Sequence, residues 1–113
     1  MGTRSGAIDP TVVTYIQKAT GCTAEEADTI LNKKSGLLGV SGVSSDFRDL
    51  TAAADKGNDR AQLALDMFSY ACKKYVGAYA AAMNGVDCIV FTAGVGENTD
   101  CVRAAICENM EYL

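Results

Sequence analysis

The chain contains no histidine. That absence removes the usual general base, so neither a Ser-His nor a Cys-His nucleophile pair can be built from it. It also weakens any zinc reading. The five cysteines, Cys22, Cys72, Cys88, Cys101 and Cys107, never fall in a C-x-x-C spacing, whereas structural zinc sites draw on closely spaced thiolates and imidazoles. An odd count fits poorly with a disulfide framework, so the thiols read as reduced and structural, as in a cytoplasmic protein.

Basic clusters are missing too. Lys33-Lys34 and Lys73-Lys74 are isolated pairs in a chain of net charge −4, which argues against a general binder of phosphate backbones. No apolar run is long enough to cross a bilayer. The opening MGTRSGAIDP has no apolar signal-peptide core, and Gly6 departs from the myristoylation pattern. The expectation is a soluble cytoplasmic protein with neither a nucleic-acid nor a membrane partner.

What is present is 113 residues, 49% of them apolar, enough for one small packed domain and no more. Helix signals dominate. Asp9 and Pro10 open a helix as N-cap and first residue, with Val12, Val13, Ile16 and Ala19 on its apolar side and Gly21 at its end. Thr23 and Glu26 form a capping-box pattern for a second helix, with Ala27, Ile30 and Leu31 inward and a stop at Ser35-Gly36. An apolar, glycine-rich passage then leads to a short helix after Ser45 that ends near Gly57. Asn58 caps the longest helix, which runs to about Met83 with Ala61, Ala64, Leu65, Phe68, Cys72, Tyr75, Val76, Tyr79 and Met83 on one stripe. Tyr75 and Tyr79 read as core, and Asn84-Gly85 ends the helix. A last helix begins near Asn98 or Thr99 and carries Val102, Ala105, Ile106, Met110 and Leu113 on one side.

Strand signal is scarce. The one clear strand is 86–92, beginning VDCIV, and a single strand cannot make a sheet because its backbone groups need partners. An apolar run of this kind suits a parallel sheet covered on both faces. The missing strands are therefore expected outside this sequence, in a larger α/β protein.

Three places could carry chemistry. FTAGVGEN, residues 91–98, follows the strand and leads to a helix, the position where α/β proteins hold anionic ligands. Gly94 and Gly96 permit close backbone approach and positive φ, and Asn98 could cap the helix and reach a ligand. Neither G-x-G-x-x-G nor the P-loop pattern is met, so spacing leaves both a phosphate-facing loop and an ordinary turn open. In GTRSG, residues 2–6, Arg4 is either free to reach a phosphate or carboxylate or solvated in a flexible terminus. In SSDFRD, residues 44–49, Asp46 reads as a helix-start acid, Phe47 as core and Arg48 as paired to Asp49 or solvent, unless the three serve a ligand. Asp46 and Asp49 share a helix face, but nothing in the sequence raises either pKa, and no acid/base pair is assigned.

Taken in order, RSGAIDP (residues 4–10), NKKSGLLGVSGVSSDFRDL (32–50) and MNGVDCIVFTAGVGEN (83–98) resemble consecutive parts of the acetate kinase family, over essentially the whole chain. The resemblance implies the acetate and sugar kinase, heat-shock ATPase and actin superfamily. The implied fold class is α/β: a helix-rich fragment of an actin-like (ribonuclease H-like) ATPase domain, with one clear strand whose sheet partners are mostly missing. Residues 1–113 would be part of the C-terminal nucleotide-binding domain.

The family phosphorylates acetate reversibly with ATP and magnesium, giving acetyl phosphate and ADP. By resemblance, Arg4 is its transition-state arginine. Asp46, Phe47 and Arg48 are nucleotide contacts around the adenosine, as are Gly94, Val95, Gly96, Glu97 and Asn98. The family's phosphate loop, histidines and magnesium-linked asparagine and glutamate have no counterpart here, so Mg2+ ligands are expected outside the segment and the isolated chain is expected to be nearly silent. A homodimer is implied for the full-length enzyme. Two alternatives stand beside this reading: a propionate kinase segment, since the acyl pocket lies largely elsewhere, and a non-catalytic dimerisation module built on the alanine-rich long helix.

Overall fold

The computed structural model describes residues 1–113 and consists of helices and connecting segments, with no sheet. It divides into two compact units, Met1–Ala64 and Leu65–Leu113. The long helix α5 (Asp59–Met83) runs through the division.

The first unit holds α1 (Thr11–Thr20), α2 (Ala24–Lys33), α3 (Gly36–Ser41), α4 (Phe47–Asp55) and the start of α5. Local capping sets most of these boundaries. Asp9 Oδ1 accepts from the Thr11 N–H at 2.8 Å and from the Thr11 hydroxyl at 2.6 Å, which leaves Pro10 at the position where no N–H is needed. Gly21, in the left-handed region at φ 70°, closes α1 with a bond to the Gln17 carbonyl. The capping box of α2 is complete: Thr23 Oγ1 accepts from the Glu26 N–H at 3.2 Å, and Glu26 Oε2 accepts from the Thr23 N–H at 2.8 Å. Asn58 Oδ1 accepts from the Ala61 N–H at 3.0 Å and starts α5.

Helix α3 departs from the sequence expectation, which saw only a glycine-rich passage. Its two glycines lower helix propensity, and tertiary burial outweighs them. Gly36, Leu37 and Ser41 are buried, with Leu37 fully enclosed. Gly42 ends α3 in the left-handed region at φ 69°. The Arg60 guanidinium donates to the Val40 carbonyl through Nε at 3.0 Å and Nη2 at 2.7 Å. Leu37, Leu50, Ala27, Ala61 and Ala64 form the buried apolar set of this unit. Helix α1 buries no residue, and its apolar side chains Val12, Val13 and Ile16 are only half-covered.

The second unit contains the rest of α5, then α6 (Ala93–Asn98) and α7 (Asp100–Cys107). The end of α5 is a Schellman motif: the Gly85 N–H bonds the Ala80 carbonyl at 2.8 Å and the Asn84 N–H the Ala81 carbonyl at 3.3 Å. Asn84 takes φ 61° and Gly85 φ 120° to make it. Ala80, Val102, Ile106 and Met110 are buried.

Several expectations fail in this unit. Residues 86–92 form no strand, because strand geometry is held by ladder bonds and the chain offers no partner strand. The passage expected as a loop is helix α6, while the last helix starts where expected, with Thr99 as N-cap and Asp100 as its first residue. Tyr75 and Tyr79 are not core: they are 56% and 63% exposed, with their rings stacked at 6.3 Å. Met83 is similarly open, at 62%. The cysteines are all free, but Cys88, Cys101 and Cys107 are exposed rather than structural; only Cys22 and Cys72 are partly covered. Burial pushes the Cys72 thiol pKa up. No helix is long and apolar enough to cross a membrane.

Candidate functional site

The arginine of GTRSG sits on a pinned loop. The Leu37 N–H, at the start of α3, donates to the Gly2 carbonyl at 2.9 Å. The Ser5 N–H donates to the Leu31 carbonyl near the end of α2, also at 2.9 Å. Both are backbone groups that their own helices leave open. Thr3 and Arg4 lie between these anchors, and the Arg4 side chain is exposed. The loop backbone is thus tied to α2 and α3, while the Arg4 side chain faces solvent.

The 46–48 triplet is a knot at the start of α4. Asp46 is the N-cap, and its Oδ1 accepts from the Arg48 N–H at 2.8 Å. The same carboxylate takes the Arg48 guanidinium in a fork, Nε to Oδ1 at 3.0 Å and Nη2 to Oδ2 at 2.6 Å. Arg48 therefore pairs with Asp46, rather than with Asp49 or solvent as the sequence suggested. These bonds, side chain first and backbone second, lower the Asp46 pKa to about 2. Asp49 has a different partner, the Ser44 hydroxyl at 2.8 Å. Phe47 is half-buried and the Arg48 side chain is 89% exposed, so the pair fixes geometry more than it stabilises the fold. A guanidinium held flat by two parallel bonds keeps one broad cationic face open.

Residues 94–98 lie in α6. Positive φ falls on Ala93, at 62°, and not on Gly94 or Gly96, so the glycines are not there for backbone handedness. Gly96 is not a close-packed position either: a Cβ added to it would make ordinary contacts, 3.4 Å from the Phe91 carbonyl carbon and 3.5 Å from the Phe91 Cβ. A Cβ on Gly94 would meet nothing within 4 Å, so its backbone faces open space. Asn98 does not cap α7; its amide turns back to the Gly94 carbonyl at 2.9 Å. Val95 is partly covered and Glu97 exposed.

Two residues that the sequence did not single out hold these segments. Gly36 lies under the arginine loop, and Arg103 of α7 donates through Nη1 to the Gly96 carbonyl at 2.9 Å and the Glu97 carbonyl at 2.8 Å. Gly36 is visible in sequence only as a helix breaker after Ser35, and Arg103 only as the one cation in α7. Arg4 and the 46–48 triplet belong to the first unit and residues 94–98 to the second. A shallow groove of about 400 Å³ in the second unit is lined by Val86, Cys88, Ile89, Cys107 and Met110 among others and contains none of the predicted site residues. No group of three or more carboxylates and thiolates converges to hold a metal ion. The side chains present do not fit a magnesium site.

The acetokinase family model matches residues 1–113. The chain belongs to the acetokinase family. It is 63% identical to acetate kinase 2 of Clostridium perfringens over its full length, which is 28% of that protein. The crystal structure of Porphyromonas gingivalis acetate kinase superposes with a TM-score of 0.94 at 56% identity, covering 99% of this chain and 28% of that one. A propionate kinase from Francisella tularensis is more distant, with TM-score 0.86 and 43% identity over 94% of this chain and 27% of its own. The chain thus spans about 28% of the length of the curated acetokinases it matches, and the helix-rich architecture is that of a segment of the kinase fold.

Proposed function

We propose that this acetokinase segment belongs to an enzyme that moves the γ-phosphoryl group of ATP to acetate, reversibly, giving acetyl phosphate and ADP. In this reading a carboxylate oxygen of acetate bonds to the γ-phosphorus as the bond to the β–γ bridging oxygen breaks, and ADP leaves with that electron pair. Charge spreads over the three equatorial oxygens during transfer. Arg4 supplies a permanent, planar cation to that charge. The observation that carries the reading is a family match over residues 1–113 that includes a backbone-pinned, exposed Arg4.

The remaining predicted residues hold nucleotide. Asp46, Phe47 and Arg48 face the adenosine, with the flat Arg48 guanidinium oriented by Asp46. Gly94, Val95, Gly96, Glu97 and Asn98 present backbone to nucleotide, Gly94 with nothing within 4 Å of an added Cβ. Residues 1–113 form part of a C-terminal nucleotide-binding domain of actin-like fold. Magnesium, held by residues outside this segment, supplies charge neutralisation on the phosphates when bound. The enzyme is cytoplasmic and homodimeric, and the open stripe of Tyr75, Tyr79 and Met83 is a face that such assembly, or the rest of the chain, would cover. Acetate is favoured over propionate because curated acetate kinases are 63% and 62% identical to this chain and the propionate kinase structure 43%.

Calorimetry with ATP and ADP on the full-length protein tests the nucleotide half of this reading. Binding heat that disappears in Gly96→Val, which puts a branched side chain beside Phe91 where the backbone would otherwise meet the ligand, and weakens in Asp46→Ala supports it. Unchanged affinity in both variants refutes it.

A further inference from the structure

Gly36 has two properties that only glycine combines. Its φ is +55°, in the left-handed region, and a Cβ at this position would fall against the carbonyl oxygens of Met1 and Gly2 and 2.9 Å from that of Arg4. All three are main-chain atoms of the arginine loop and cannot swing aside as a flexible side-chain tip could. Gly36 is itself buried, and the next residue, Leu37, is fully enclosed. The floor beneath the loop is therefore rigid. On either side of Arg4 the loop is tied down, Gly2 by the Leu37 N–H and Ser5 by the Leu31 carbonyl, each at 2.9 Å.

We propose that Gly36 is the positioning residue for Arg4: its missing side chain lets the loop seat on the start of α3, and that seating sets where the guanidinium stands relative to the transferring phosphoryl group. The inference rests on the reading of Arg4 as the phosphoryl-facing arginine and goes beyond it, since nothing in the loop's own sequence requires a glycine at 36. With any side chain at 36, residues 2–5 must lift from α3. Arg4 stays in the protein but loses its place. Misplacement of a reacting group by about 1 Å costs on the order of 100-fold in rate while leaving remote binding contacts intact.

The test is a kinetic cycle in the full-length enzyme with Gly36→Ala, Arg4→Ala and the double variant. Gly36→Ala is expected to lower kcat by about 10- to 100-fold with KM for ATP within about twofold. The double variant is expected to be no slower than Arg4→Ala alone, because a displaced arginine that is already gone cannot be lost again. Hydrogen exchange at the Ser5 and Leu37 amides should quicken in Gly36→Ala. If Gly36→Ala does not fold, Ser5→Pro removes the Ser5 donor from outside the helices and is expected to give the same split between kcat and KM. Full kcat in the glycine variant beside a crippled Arg4→Ala overturns the inference, as do additive losses in the double variant. Full kcat in Arg4→Ala overturns the catalytic reading of Arg4 itself, and that failure shows in the arginine variant alone.

Discussion

The Arg103 guanidinium donates from a single nitrogen to two successive carbonyls, those of Gly96 at 2.9 Å and Glu97 at 2.8 Å. It thereby places positive charge at the C-terminal end of α6, where the last carbonyls have no partner within the helix. The two-glycine helix AGVGEN is held from a neighbouring helix as well as by its own Asn98 amide.

Arg103→Gln removes this charge-assisted clamp. Nucleotide affinity, measured by calorimetry on the full-length protein, is expected to fall by about 10- to 100-fold, in line with a hydrogen bond from a charged group at roughly 1.5–3 kcal/mol. Arg103→Lys, which keeps the charge without the planar fork, should recover part of the loss. Affinity unchanged in Arg103→Gln means that the shape of α6 does not govern binding.

Asp46 sets a pH dependence whose sign is fixed. Its pKa is depressed from 3.8 to about 2 by Arg48, so its contribution to stability is present above the unfolded value and lost as pH falls through the folded one. The difference in melting temperature between the parent chain and Asp46→Asn should therefore be constant near neutrality and close between about pH 4 and pH 2. Both side chains face solvent, so the gap is small and added salt narrows it. A gap that widens on acidification contradicts the assignment.

Asn84 carries the left-handed turn at the end of α5, with φ 61°. Asn84→Ala places an ordinary Cβ there and should cost about 1 kcal/mol in urea unfolding. Asn84→Gly, which relieves the same strain, should be neutral or slightly stabilising. Equal losses in the two variants would show that the asparagine side chain, not its backbone angle, matters.

The parts of the fold that were legible in sequence are those with adjacent causes. Asp9 bonds Thr11, Thr23 and Glu26 bond each other, Asn58 bonds Ala61, and Gly85 reaches back to Ala80; all of these act within about one or two helical turns. Helix α3 was not legible, because its glycines argue against a helix and the burial of Leu37 that overrides them is a tertiary fact. The strand at 86–92 was over-read for the opposite reason. Residue preference can favour a strand, but only a partner makes one. Helical periodicity placed Tyr75, Tyr79 and Met83 on the stripe of Ala61 and Ala64, yet the alanines are fully buried and the three large residues are exposed. Periodicity shows which residues share a face, not how far along the helix that face is covered.

The site shows the same division. Arg4, the 46–48 triplet and residues 94–98 stand out by local composition and by family resemblance. The groups that hold them come from elsewhere in the chain: Gly36 lies 32 positions after Arg4, and Arg103 lies seven after Gly96. No spacing rule ties such pairs together.

The most direct measurement is acyl-phosphate formation, trapped as acetyl hydroxamate, by the full-length protein and its Arg4→Ala variant. The prediction is robust turnover of acetate and ATP in the parent, with kcat lower by about 1,000-fold in the variant and ATP affinity retained. A parent that makes no acyl phosphate, or an Arg4→Ala variant with undiminished kcat, contradicts the central claim.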